Sequence, residues 1–334
     1  MRILFACLLI VGCKETTADK AVATSSQNTD AIAKLRRAIG DRYSYRDRLG
    51  LDWTELFAEA MPELERATSR EQLVEGFVKV LEHAKDPHLT FVIDGKYIKT
   101  DPAKPAWNFA VAQIQKKVTD WKYVGRCLSI GRVGTFAYVL VNGLEKGKCD
   151  NLPRDWATAF AEVRNAPGMI MDLRGNGGGD ELKAQAIAGY FIDKPTPYVK
   201  SETRDPTSVT GFAPAIERVV QPVAGIERYA RPVVVLSGPL IMSSAESFLL
   251  MMRAAGATLV GGRSRGSSGN PQPVELGNGI TLLVPSWRAM FVDGTYSEGV
   301  GIGPDVEVPV TAEEVATGDK VIDAAIVELT KRTK

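Results

Sequence analysis

Histidine is almost missing from this chain: His83 and His88 are the only two among 334 residues. Cysteine is nearly as scarce, at four. So few soft ligands, with no paired ligand spacing, give no zinc site, and no metal is expected. Charge of one sign is missing as well, since 41 basic residues face 40 acidic ones. Without a basic stripe, nucleic acid is not an expected partner. No lysine lies between Ser201 and Asp319, so a nucleophile in that stretch has no local lysine to activate it.

The longest leading apolar run, Ile3–Val11, is too short to span a bilayer. It follows Met1 and Arg2, so residues 1–12 read as a signal peptide. Ile10, Val11 and Gly12 before Cys13 resemble a bacterial lipobox, which implies cleavage before Cys13 and lipidation of its sulfur. An ordinary signal peptide that happens to hold a cysteine is the alternative. Residues 13–30 are polar and read as a lipidated tether. The expected location is the bacterial cell envelope, membrane-anchored and facing the periplasm or exterior. Cys127 and Cys149 then remain. Outside the cytoplasm they are a possible disulfide, with two buried free thiols as the alternative.

Residues 31–95 form a small helical domain by pattern. Ser69 and Gln72 frame a capping box, Leu73, Phe77, Val80 and Leu81 follow at helical spacing, and Leu89–Ile93 reads as a strand. Residues 96–130 are a lysine-rich connector to which no structure is assigned. From residue 131 to 334 apolar strands alternate with amphipathic helices, around a loop-rich excursion over Asp193–Arg231. That alternation predicts an α/β core with mostly parallel pairing and right-handed crossovers.

The most informative stretch is Met169–Asp180, MIMDLRGNGGGD. An apolar strand runs into four glycines, Gly175, Gly177, Gly178 and Gly179, and then into an amphipathic helix. Glycines cluster so where backbone takes positive φ or approaches something closely. The turn has no lysine, which excludes a Walker loop, and Asp180 stands where a dinucleotide fingerprint needs glycine. A donor nest for an oxyanion is left, and it calls for a nucleophile elsewhere. A plain tight turn is the alternative.

Ser243 sits where strand Pro232–Leu236 gives way to a helix from about Ser244, a position that favours negative charge. Alone it reads equally as an N-cap, with Glu246 completing a Ser-x-x-Glu box. Its company alters that reading. DLRGNGGG, then SSAE some seventy residues on, then EGVGIGPD at 298–305 resemble the serine peptidases that include the C-terminal processing (tail-specific) proteases and the tricorn core. The resemblance implies a crotonase-like superhelical α/β core, preceded here by the small helical domain. It implies Ser243 as nucleophile, with Ser244 the weaker candidate.

The processing proteases draw their base from a lysine about twenty-five residues beyond the serine, and Ser268 stands there instead. The tricorn-like branch uses a histidine from a short Asp-x-His motif, which Asp86-Pro87-His88 matches. The resemblance therefore implies His88 as base and Glu298 as its orienting carboxylate, although Pro87 replaces the serine that relays this contact in tricorn. A loop histidine with satisfied nitrogens, and a carboxylate that pins the glycine turn Gly299–Gly303, are the alternatives. It places the Gly178 and Ser244 N–H groups at the oxyanion, and Ser268, Gly269 and Asn270 along the substrate cleft. His83 reads as an ordinary surface or packing residue. Gly262–Gly266 fits Gly-x-Ser-x-Gly, but no helix can begin after it, so Ser264 is set aside. The connector is too short for a PDZ module.

The expected activity is an exported, lipid-anchored serine peptidase acting on peptides or unfolded protein segments, with no cofactor. A non-catalytic peptide- or lipophile-binding protein on the same fold is the alternative. Acyl-CoA chemistry of the crotonase type is disfavoured, because an exported lipoprotein meets little coenzyme A.

Overall fold

The computed structural model of the chain describes residues 25–101 and 103–333. Residues 1–12 and Cys13, with the leader and lipid site read there, lie outside them. The first helix, Ser25–Asp41, begins inside the stretch expected to be a tether.

The centre is a seven-stranded sheet in the order Val306–Glu307, Thr258–Gly261, Val233–Ser237, Met169–Asp172, Phe136–Val141, Leu128–Val133, Thr119–Tyr123. The first five run parallel and the last two antiparallel. Period-two alternation splits its side chains between two cores. Met169, Met171, Val233 and Val235 pack with Trp156, Phe160, Phe248 and Leu249 of helices Leu152–Val163 and Ser244–Ala254. Ile170, Val234 and Leu236 face the other way, onto Val321, Ala325 and Leu329 of the closing helix Lys320–Arg332. Coverage on both faces explains why these strands read as unbroken apolar runs.

The N-terminal helices Trp53–Arg66 and Arg70–Leu81 pack on an antiparallel sheet ordered Pro271–Gly277, Ile280–Pro285, Thr90–Ile93, Lys96–Lys99. Half of that sheet comes from residues 271–285, so the helical segment shares its core with distant sequence. Ser69 accepts the Gln72 N–H, but the Gln72 side chain turns to Thr68, so only half of the expected capping box forms. The connector is not structureless: it holds Lys96–Lys99, helix Val111–Lys117 and strand Thr119–Tyr123. The excursion holds strands Thr196–Thr203 and Ile216–Val220, which form a third sheet with Trp287–Met290. Both small sheets are antiparallel, so parallel pairing is confined to the central one. Cys127 and Cys149 are joined in a disulfide, their Cα atoms 5.6 Å apart.

Candidate active site

Strand Val233–Ser237 delivers the chain to helix Ser244–Ala254, and Ser243 occupies the N-cap position with φ 60° and ψ −135°. That backbone costs an L residue roughly 1–3 kcal/mol and persists only where the surroundings hold it. The Ser243 hydroxyl caps nothing, and the box with Glu246 does not form. Glu246 turns inward to accept the Gly266 N–H at 2.8 Å, the Ser267 N–H at 3.0 Å and the Ser264 hydroxyl. Burial pushes Glu246 up to about 7, although those donors pull the other way. The Ser243 N–H is held by the Ser267 carbonyl at 2.7 Å.

The glycine turn lies against this N-terminus. A Cβ on Gly178, at φ 95°, would stand 2.8 Å from both the Met242 carbonyl oxygen and the Ser243 Cβ. One on Gly179 would stand 2.5 Å from the Leu144 oxygen. Only glycine fits either place. Leu144 pins the turn by donating to the Gly178 carbonyl at 3.0 Å and accepting the Asp180 N–H at 2.9 Å.

The expected donor is displaced by one residue. The Gly178 N–H is given to Asn176 Oδ1 at 2.9 Å, because Asn176 is buried beneath it and tied to the Val141 carbonyl. In a trans peptide the Gly179 N–H points opposite to the Gly178 carbonyl. It therefore points away from Leu144, and it has no partner among the described residues. Gly179 is exposed and its carbonyl accepts the Ser244 hydroxyl at 2.7 Å. The Ser244 N–H, first of the helix, is equally without a partner among the described residues. Two open donors thus flank Ser243.

His88 comes from the loop before strand Thr90–Ile93, where its N–H closes an Asx turn on Asp86 Oδ1 at 2.9 Å. Its Nδ1 meets the Ser267 hydroxyl at 2.8 Å, and Asp86 Oδ1 lies 3.8 Å from that nitrogen. Nε2 has no hydrogen bond among the described residues. Burial lowers the His88 pKa most, Asp86 raises it in part and Arg265 lowers it further. No direct hydrogen bond joins Ser243 Oγ to the ring. Ser267 contacts both residues, its carbonyl accepting the Ser243 backbone N–H and its hydroxyl meeting His88 Nδ1. Such bonds are often open in ligand-free sites and close with substrate. His83 is exposed, with Nδ1 near the Lys79 carbonyl.

Glu298 is buried but does not reach the histidine. Its Oε2 accepts the Ser268 N–H at 2.7 Å. Burial first, and then the Asp86 carboxylate, hold its pKa well above the ordinary range. The resemblance placed it on the base, with the pinning of a loop as the alternative, and here it pins the loop at Ser268. Ser267 was passed over although it neighbours Ser268, the position matched to the processing proteases' lysine. Ser264 is structural, donating to Glu246 and accepting the Ile302 N–H.

Ser243, Ser244 and Gly179 share a cleft of about 960 Å³ with Ser268, Gly269 and Asn270. The Trp287 backbone N–H donates to the Gly269 carbonyl and the Ser286 hydroxyl to that of Asn270, which fixes this wall.

The profile of Peptidase family S41 matches residues 135–308, which include the glycine turn, Ser243 and Glu298. The carboxy-terminal processing protease CtpB of Bacillus subtilis (strain 168) is 24% identical over 162 residues, 48% of this chain but only 32% of that protein. Among solved structures, a protein of Parabacteroides merdae superposes with a TM-score of 0.79 at 24% identity, covering 90% of this chain and 96% of its own. Mature CPAF, in complex with lactacystin, superposes with 0.68 at 12% identity over 92% and 99%. These likenesses agree with the α/β fold, and since the profile spans more than half of the sequence, the chain belongs to Peptidase family S41.

Proposed function

We propose that this chain is an exported, lipid-anchored serine peptidase that hydrolyses peptide bonds in peptides or unfolded protein segments. Ser243 Oγ attacks the scissile carbonyl while its proton passes to His88 Nε2. The resulting oxyanion is met by the N–H groups of Ser244 and Gly179. The proton then moves from Nε2 to the leaving nitrogen as the C–N bond breaks. Water repeats the sequence on the acyl-enzyme and restores the Ser243 hydroxyl. Each oxyanion donor is worth about 3–4 kcal/mol of transition-state stabilisation in comparable sites.

The observation that carries this reading is the strained Ser243 backbone with an uncommitted hydroxyl, flanked by two open N–H donors and lining a cleft of about 960 Å³. A cap serine has no need of any of these. The leader and Cys13 support export and anchoring. A fluorophosphonate probe with mass-spectrometric site mapping tests the chemistry. Labelling at Ser243, lost in Ser243→Ala and His88→Ala together with peptide hydrolysis, is the expected result. A chain that neither labels nor cleaves would be a binding protein on this fold.

A further inference from the structure

We propose that Ser267, and not Glu298, is the positioning residue that holds His88 in the tautomer a base requires; this rests on the peptidase reading above. To accept the Ser243 proton at Nε2, the imidazole must carry its own proton on Nδ1. Something must receive that Nδ1–H. Ser267 Oγ, 2.8 Å away, is the only hydrogen-bond partner of Nδ1 among the described residues.

The carboxylates nearby are committed elsewhere. Asp86 Oδ1 is 3.8 Å from Nδ1 and already accepts the His88 N–H, while Asp86 Oδ2 accepts the Tyr43 hydroxyl at 2.9 Å. Glu298 holds Ser268. Asp86 therefore contributes field and Ser267 contributes the bond.

Ser267 is built for a fixed position. It is 2% exposed, its N–H is anchored by buried Glu246, and its carbonyl holds the nucleophile's own N–H. One residue thus sets the ring and the Ser243 backbone in a common frame, without the relay serine that Pro87 displaced. The charged groups around the ring are Asp86, which favours the imidazolium, and Arg265, which opposes it. Asp86 in turn feels Arg48, Tyr43 and Glu298.

Ser267→Thr and Ser267→Val test this, since they match in shape and differ only in the hydroxyl. The threonine variant should keep kcat within a few-fold. The valine variant should lose on the order of 10–10²-fold in kcat with KM little changed, within what a positioned base contributes. Its acid limb should also move to lower pH, because the imidazolium has lost its Nδ1 acceptor. A packing role alone would not move that limb. Nitrogen-15 NMR of His88 gives a reading free of activity, and the Nδ1–H tautomer is expected in the unmodified chain. The Nε2–H tautomer, or equal kcat and equal limbs in the two variants, would overturn the assignment. If His88→Ala is inactive while Ser267→Val is not, only Ser267 falls. Full hydrolysis in His88→Ala would instead overturn the peptidase mechanism and Ser267's role with it.

Discussion

Arg174, the arginine of the DLRGNGGG stretch, is fully buried between two carboxylates. Its Nε and Nη2 donate to the two oxygens of Asp172 at 3.0 and 2.7 Å, and Nη1 and Nη2 to those of Asp319 at 3.0 and 2.8 Å. Nη1 also reaches the Asn108 carbonyl. The cluster bolts the strand end that launches the glycine turn to the N-cap of the closing helix, where Asp319 accepts the Ile322 N–H. Arg174→Met would leave two carboxylates facing each other out of water. Breaking a buried ion pair by removing one partner costs about 3–5 kcal/mol, a large share of a total stability of about 5–15 kcal/mol. With a urea slope near ~3 kcal/mol per molar, the midpoint should fall by roughly 1–2 M. Adding Asp319→Asn removes one stranded charge and keeps the helix cap, since asparagine caps as well as aspartate. The double variant should therefore recover about 1–2 kcal/mol, a non-additivity expected of residues in one network. A single variant whose urea midpoint matches the unmodified chain would refute the reasoning.

Activity should fall as pH drops through the His88 pKa, because only the neutral ring accepts the Ser243 proton. Burial places that pKa below the ordinary value of ~6.5, so the acid limb of kcat/KM should lie below it, and a limb at alkaline pH would point to a different base. Replacing Cys127 and Cys149 by alanine opens a loop of 22 residues and should cost roughly 3 kcal/mol in the chain-entropy view; peptide mapping without reductant that finds both thiols free would contradict the bridge. Cys13→Ala should release soluble protein from membranes, and an unmodified chain that already fractionates as soluble would defeat the lipid anchor.

The central strands were legible because each carries two apolar faces, and Met169–Asp172 and Val233–Ser237 lie within a residue or so of where the pattern puts them. Lys96–Lys99 and Thr119–Tyr123 were not, because edge strands with mostly exposed side chains carry no alternation to detect. The glycine turn announced a close approach, but not which N–H would remain open. That choice belongs to Asn176, whose side chain captures one donor for reasons of local geometry. Likewise Ser267 and Ser268 are adjacent and chemically alike in sequence. Only the fold turns one hydroxyl to the histidine and the other to Tyr45.

His88 sits in the turn just before strand Thr90–Ile93, whose partner Ile280–Pro285 is encoded much later in the sequence, and its hydroxyl contact is 179 residues away. Ribosomes deliver these parts in order, so a growing chain carries the histidine long before the strand that seats it. Pairings of such sequence separation form late and slowly. A chain still lacking residues 267–285 therefore holds His88 without the hydroxyl and the strand that seat it, and the candidate site is assembled only once they are made. Under the proposed mechanism, chain topology by itself keeps the base unseated until those residues arrive.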